Sequence, residues 1–270
     1  MADRNPEAPY SVAGSARLSA EQATSPFDLA RQHLIVALDL PTAEVALALA
    51  DQLSEQCQWF KVGLELYIAA GPSIVEKLVS RGHSVFLDLK LHDIPNTVAS
   101  AVRAAAGLGV GLLTVHAAGG PAMLSAAREA AAGLADAPEL LAVTVLTSMD
   151  AAQLQATGVS RAPADQVELL AELGLQAGIR GFICSAEEAG RLRSITGPDG
   201  VLVTPGIRLG GTDQAGSGDQ KRVATPTYAL EQGANYLVVG RPITRAANPA
   251  LAAEAILLEI AEALAIAPTE

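Results

Sequence analysis

The sequence predicts an α/β protein that folds as a single (β/α)8 barrel. Eight short apolar segments rich in Val, Ile and Leu alternate with longer stretches rich in Ala, Leu and Glu that have helical spacing. The short segments are apolar throughout rather than at every second position, which is typical of parallel strands buried on both faces. Eight strand–helix units within roughly 240 residues favour a closed barrel over an open, doubly wound sheet.

The predicted strands follow one another at regular intervals. Their ranges are 34–39, 58–63, 84–90, 111–116, 141–147, 180–184, 201–206 and 235–240. Residues 1–26 are predicted to be a poorly ordered tail because Pro and Gly interrupt any helical pattern, and residues 27–270 are predicted to form the catalytic barrel.

Two long connections interrupt the alternation of strands and helices. One follows strand 5 at about 148–166, and the other follows strand 7 at 207–222. The second connection is rich in Gly, Asp and Gln, so we expect it to be a mobile lid whose backbone can approach a ligand.

The composition limits the possible functions. The chain is 50% hydrophobic and 17% charged, which allows a large core and excludes wholesale disorder. Its net charge of -11 has the wrong sign for binding a phosphate backbone, so we expect no nucleic-acid partner. We also expect no membrane partner, because no apolar run approaches the roughly 18–20 residues that cross a bilayer. The first 26 residues lack a signal-peptide pattern, and Cys57 and Cys184 form no disulfide framework, so a cytoplasmic location is expected.

Polar residues stand at or just after the C-terminal ends of the predicted strands, where barrel enzymes build their active sites. They are Asp39, Lys61, Asp88, Lys90, His116, Thr147, Arg208 and Arg241. Asp88 and Lys90 lie two residues apart on a strand and therefore point to the same side. With Asp39 and Lys61 they place alternating charges at the barrel mouth. One interpretation is a salt-bridge network that closes the barrel end, since charged groups are rarely buried unless paired. The other is a catalytic array.

Seven motifs, in order along the chain, resemble those of the orotidine 5′-phosphate decarboxylase family of bacterial type. They are VALD, FKVG, the DxKxxD run at 88–93 continued as IPNT, TVLTSM, TPGIR, GDQ and VVGRPIT. The resemblance covers residues 33 to about 260. It implies a TIM-barrel lyase that converts orotidine 5′-monophosphate to UMP, the last step of de novo pyrimidine biosynthesis.

The resemblance also implies roles for the residues around the reacting carbon. Lys90 donates a proton to C6 of the pyrimidine as carbon dioxide leaves, and Asp88 and Asp93 flank it. Asp93 and Thr97 come from the other subunit of a homodimer with shared active sites, and Thr97 helps to bind the ribose.

The remaining implied roles concern the rest of the nucleotide. Asp39 and Lys61 hold the ribose hydroxyls and complete the charged array, in which Lys61 counts among the catalytic residues. Thr147 or Ser148 binds the pyrimidine edge. The implied phosphate site contains Arg208, Gln220, the Gly240 backbone and Arg241. No metal and no organic cofactor are expected, because the sequence contains no cluster of metal-ligand spacing and no dinucleotide fingerprint.

Two alternative functions are compatible with a DxKxxD barrel. Sister barrels that decarboxylate or cleave sugar phosphates use Mg²⁺, held by a glutamate at the end of strand 2. This chain has Lys61 at that position, and a lysine repels the metal. The second alternative is an inactive phosphate-binding barrel, which is expected to have a broken charged array.

Overall fold

The computed structural model describes residues 25–210 and 223–266, and eight parallel strands of this part close into a barrel. The strands are β1 (Leu34–Ala37), β2 (Trp59–Gly63), β3 (Ser84–Leu91), β4 (Leu112–His116), β5 (Glu139–Val143), β6 (Gly181–Ile183), β7 (Val201–Pro205) and β8 (Tyr236–Val239). Each strand pairs with the next one in the chain, and β8 pairs with β1. The predicted (β/α)8 barrel is therefore confirmed.

Helices connect the strands. They are α1 (Pro26–His33), α2 (Ala43–Gln52), α3 (Leu64–Ala70), α4 (Ser73–Ser80), α5 (Pro95–Ala106), α6 (Gly120–Ala132), α7 (Ala151–Ala156), α8 (Pro163–Gln176), α9 (Ala186–Thr196), α10 (Pro226–Glu231), α11 (Arg241–Thr244) and α12 (Pro249–Ile266), with a 3-10 turn at Ala117–Gly119. Within the two described ranges, no helix combines the length and apolarity that a membrane span requires.

The strands are apolar throughout because their two faces pack against different cores. In β1, Leu34 and Val36 pack outward in the core shared with the helices, whereas Ile35 packs inward. The inner core also contains Trp59, Phe86, Leu112, Leu141, Val201 and Val203. Apolar side chains thus fill the barrel interior below the mouth, as in other barrels of this type.

The first described residues correct one predicted boundary. Ser25 and Pro26, which were expected to lie in the tail, cap and begin α1. The Ser25 hydroxyl accepts a hydrogen bond from the backbone N–H of Asp28, and proline is tolerated at a first helical position because no helical bond is lost there. Residues 1–24 and 267–270 lie outside the described residues, so most of the predicted tail stays a prediction.

The predicted range of strand 5 is wrong at both ends. The structure places it at Glu139–Val143 instead of 141–147. Val143 is paired with His116 of β4 and Ile183 of β6, which are the last residues of those two strands. Beyond Val143 neither neighbour offers further strand backbone, so the apolar run continues as a loop despite its strand-like composition.

The structure describes the first of the two long connections fully and the second only in part. The one after strand 5 contains α7, whose capping box pairs Asp150 with Gln153. Of the predicted lid at 207–222, only residues 207–210 belong to the described part of the chain.

Candidate active site

The C-terminal ends of the strands surround a cavity of about 800 Å³. Most of the residues predicted to act on a ligand line it together. They are Asp39, Lys61, Asp88, Lys90, Thr147, Ser148, Arg208, Gly240 and Arg241. Apolar side chains such as Phe86 and Val238 form part of the same wall. The cavity therefore combines an apolar surface with a small number of charged groups, as ligand sites usually do.

Strand alternation places the charges at the mouth. Trp59 of β2 and Phe86 of β3 face the inner core, so the residues two positions later, Lys61 and Asp88, face the same interior one layer nearer the opening. Asp39 follows β1 on the same side. The apolar layer below excludes water from the lower side of these charged groups.

Four charged side chains form a continuous array. Lys61 Nζ lies 2.7 Å from Asp39 Oδ1 and 3.8 Å from Asp88 Oδ2. Lys90 Nζ lies 2.7 Å from both carboxylate oxygens of Asp88. Only 10% of the Lys61 side chain is exposed, and an ammonium at that depth requires neighbouring carboxylates. The order of charges is therefore negative, positive, negative, positive across the mouth.

Gly63, the last residue of β2, makes room for this array. A Cβ atom at Gly63 would lie 2.8 Å from Lys61 Nζ and 2.9 Å from Asp39 Oδ1. Any larger residue would displace the ion pair, which explains why the FKVG motif ends in glycine.

The strand that carries Asp88 and Lys90 is irregular. Leu87 is paired with Leu113 and Leu91 with Val115, so the register of β3 shifts between these pairs. Lys90 has a φ of 50°, the one positive value at a non-glycine residue in the described ranges. Asp88 and Lys90 share the predicted side, but through a bulge rather than through a regular strand.

Thr114 of β4 is a polar contact that the sequence analysis missed. Its buried hydroxyl accepts a hydrogen bond from the Lys90 backbone N–H at 2.8 Å and lies 3.1 Å from Asp88 Oδ1. The available signal was one hydroxyl in the apolar run LLTVH, at an inward-facing position.

The part of the cavity that follows β7 and β8 is rich in arginine. Arg208 follows β7, and Arg241 begins α11 directly after β8 and Gly240. Arg245, which the sequence analysis did not single out, lines the same region. Several guanidinium groups on one wall suit an anionic group such as a phosphate.

Two predicted site residues of the described ranges, Asp93 and Thr97, are not among those that line the cavity. Asp93 and Thr97 are exposed beside it, at the start of α5. The Asp93 carboxylate accepts a hydrogen bond from the backbone N–H of Ile94, whose own side chain is 67% exposed. Gln220 lies outside the described residues.

Two histidines stack beside the bulge. The rings of His92 and His116 have centroids 5.1 Å apart and planes inclined by 21°. Burial lowers the pKa of His116, and the nearby charges of His92 and Lys90 lower it further. Nδ1 of His116 accepts a hydrogen bond from the Ala118 backbone, which caps the following turn. His116 therefore shapes this turn and does not line the cavity.

Comparison with known proteins gives a consistent result. Residues 32–256 match the model of the orotidine 5′-phosphate decarboxylase / HUMPS family. A protein from Nitrosococcus oceani named orotidine 5′-phosphate decarboxylase is 52% identical over 231 residues, which are 85% of this chain and 98% of that relative. One from Sodalis glossinidius with the same name is 50% identical over 251 residues, covering 92% and 95%. A crystal structure of orotidine 5′-phosphate decarboxylase from Lactobacillus acidophilus superposes with a TM-score of 0.74 at 40% identity, covering 85% of this chain and 99% of that one.

Proposed function

The chain belongs to the orotidine 5′-phosphate decarboxylase / HUMPS family, and we propose that its cavity converts orotidine 5′-monophosphate to UMP and carbon dioxide. The observation that carries this proposal is the alternating array of Asp39, Lys61, Asp88 and Lys90. An arginine-rich wall in the same cavity supports it, since the substrate carries a phosphate at one end and the reacting carboxylate at the other.

Lys90 supplies the chemistry at C6 in this proposal. When the bond from C6 to the carboxylate carbon breaks, its electron pair stays on C6 in an orbital that the ring cannot delocalise well. A fixed ammonium stabilises this developing charge. It then donates a proton to C6, forming the C–H bond of UMP, and the neutral amine regains a proton from water.

Asp88 holds the ammonium in place. Both of its carboxylate oxygens lie 2.7 Å from Lys90 Nζ, so the position of the proton donor is set before the substrate enters. A preorganised charge needs little rearrangement during the reaction and is more effective for that reason.

The other lining residues are proposed to bind the rest of the nucleotide. Asp39 and Lys61 form the half of the array away from Lys90 and suit the ribose hydroxyls. Thr147 and Ser148 follow each other in the loop after β5 and offer hydroxyls to the pyrimidine edge. Arg208, Arg241 and the Gly240 backbone suit the phosphate, and Gln220 is proposed to join them.

No metal is needed in this scheme. The ammonium of Lys61 lies between the carboxylates of Asp39 and Asp88, so these carboxylates already have a protein cation as their partner. This arrangement favours the nucleotide reaction over that of the magnesium-dependent sister barrels.

The proposed reaction is tested by following the loss of orotidine 5′-monophosphate absorbance and the release of carbon dioxide. Turnover is expected with purified protein, and we expect EDTA to leave the rate unchanged, because Lys90 and not a metal stabilises the developing charge. Activity that EDTA abolishes and Mg²⁺ restores would contradict the metal-free scheme. Lack of any turnover would contradict the function itself.

Arg241→Ala is expected to weaken substrate binding first. Loss of a charged hydrogen bond to the phosphate corresponds to a rise in KM of about 10- to 100-fold, with a similar loss of UMP affinity. A smaller decrease in kcat is also expected, because phosphate binding energy helps to hold the reactive arrangement. Steady-state kinetics and UMP titration measure both effects.

The matched control for this prediction is Arg191→Ala. Arg191 lies on α9 and pairs with Glu168 at the surface, away from the cavity lining. Unchanged KM and UMP affinity in Arg241→Ala would remove Arg241 from the phosphate site.

We further propose a homodimer with shared active sites in the cytoplasm. Asp93 and Thr97 lie at the surface beside the cavity, and the exposed Ile94 between them offers an apolar contact for a second copy. Cys57 and Cys184 are buried and are not joined in a disulfide, which fits a reducing compartment.

A further inference from the structure

Thr114 is a fully buried hydroxyl on β4, placed against the bulge of β3. We propose that Thr114 is a positioning residue for the reaction, because its hydroxyl fixes both the backbone of Lys90 and the carboxylate of Asp88. The inference rests on the proposed function of Lys90, and it assigns a role to a residue that has no place in the charged array itself.

The register of the two strands explains why a side chain is needed here. Between its paired residues Leu87 and Leu91, β3 advances by four residues, while β4 advances by only two, from Leu113 to Val115. The extra residues of β3 cannot all find backbone partners on β4. The Thr114 side chain supplies the acceptor, because its Oγ1 lies 2.8 Å from the Lys90 backbone nitrogen.

This bond holds Lys90 in an unfavourable backbone conformation. A φ of 50° lies in the left-handed region, which lysine disfavours because its Cβ crowds the backbone. Such conformations persist when surrounding contacts enforce them. The direction in which the Lys90 side chain leaves β3 depends on this φ, so the hydrogen bond to Thr114 controls the direction of the ammonium.

The same hydroxyl also reaches the carboxylate partner. Oγ1 accepts from the Lys90 N–H, so its own proton is available to Asp88 Oδ1 at 3.1 Å. Asp88 Oδ1 in turn lies 2.7 Å from Lys90 Nζ. The contacts form a closed ring from the Lys90 backbone through Thr114 and Asp88 to the Lys90 ammonium.

The ring predicts which side chains can replace Thr114. Serine retains a hydroxyl that both donates and accepts, whereas valine has nearly the same shape and can do neither. Thr114→Val should therefore loosen the ammonium without opening a cavity. Misplacement of a catalytic group by about 1 Å can reduce the rate by about 100-fold.

The experiment compares Thr114→Val, Thr114→Ala and Thr114→Ser in the full-length enzyme. For the valine variant we expect kcat to decrease about 10- to 100-fold, while KM and the affinity for UMP change little. Binding of 6-hydroxyuridine 5′-monophosphate, which carries an anionic oxygen at C6, should weaken much more than binding of UMP. Serine should restore most of the lost kcat, and alanine should not. If the valine variant does not fold, the comparison of Thr114→Ser with Thr114→Ala decides, because these two variants differ from each other only in the hydroxyl.

The matched control is Thr204→Val, which removes another fully buried strand hydroxyl, one whose oxygen is 4.0 Å from Cys184 Sγ. It should leave kcat unchanged. The proposal is overturned if hydroxyl-free variants keep normal kcat and normal affinity for the C6-anionic nucleotide. It is also overturned if they lose both nucleotides equally with a lowered Tm, since that pattern indicates only a structural role. Lys90→Ala distinguishes failure of the proposed function from failure of the Thr114 proposal. If Lys90→Ala is inactive while Thr114→Val is normal, only the role of Thr114 is wrong.

Discussion

Lys90→Ala is expected to abolish turnover of orotidine 5′-monophosphate while leaving the affinity for UMP nearly intact. The variant loses the cation that faces the developing charge and the proton that completes the product. Positioned charges and general acids each contribute about 100-fold or more, so we expect kcat to decrease by at least about 10⁴-fold. The proposed phosphate site lies on other strands and is retained.

Two measurements distinguish this effect from a general loss of structure. Rates are measured from carbon dioxide release, and UMP affinity is measured by calorimetry on the same preparation. Lys77→Ala on α4 is the matched control, because it removes an exposed lysine from a helix that contributes no residue to the cavity lining. Turnover close to that of the unmodified enzyme in Lys90→Ala would rule out Lys90 as the proton donor.

Much of the barrel can be predicted from local sequence. Both faces of each strand are buried, so each strand can be recognised in the sequence as a largely apolar run. The end of strand 5 does not follow in this way. The run LAVTVLT at 141–147 is mostly apolar, yet β5 stops at Val143 because its neighbours stop opposite that residue. The length of a strand is thus set partly by the strands beside it, and a single apolar run contains no information about them.

Only part of the candidate site, likewise, can be predicted from local sequence. Spacing places Asp88 and Lys90 on one side, and their common cavity could be predicted from strand ends alone. The bulge at Lys90 could not, because it depends on a register shift against β4 and on a hydroxyl 24 positions further along the chain. The contact of Thr114 with Lys90 becomes apparent only from the pairing of β3 with β4.

For Asp93, the resemblance implies a contact that a single chain cannot show, because the contact lies between two subunits. Its carboxylate is exposed and bonded to its neighbouring backbone N–H. Lys90 and Asp88, by contrast, contact each other within the chain. The resemblance implies that Lys90 of one subunit meets Asp93 of the other across the twofold axis of the proposed dimer.

A mixture of Lys90→Ala and Asp93→Ala proteins is therefore expected to regain activity after subunit exchange. Each variant alone forms dimers in which both sites are damaged. In a heterodimer with shared sites, one site contains both lesions and the other contains neither. Random exchange makes about half of the dimers mixed, each with one intact site of two, so recovery should approach about a quarter of normal activity. Activity is measured before and after exchange, and mass spectrometry verifies the heterodimers.

The matched control replaces Asp93→Ala by Asp88→Ala. Asp88 and Lys90 touch within one chain, so a heterodimer of Lys90→Ala with Asp88→Ala has one lesion in each site and no intact site. That mixture should stay inactive under the same exchange. Recovery in the first mixture and none in the second would place Asp93 across the interface. If verified heterodimers of the first mixture recover nothing, Asp93 acts within its own chain or only in the structure of α5, and the shared site is wrong even where the decarboxylase reaction holds.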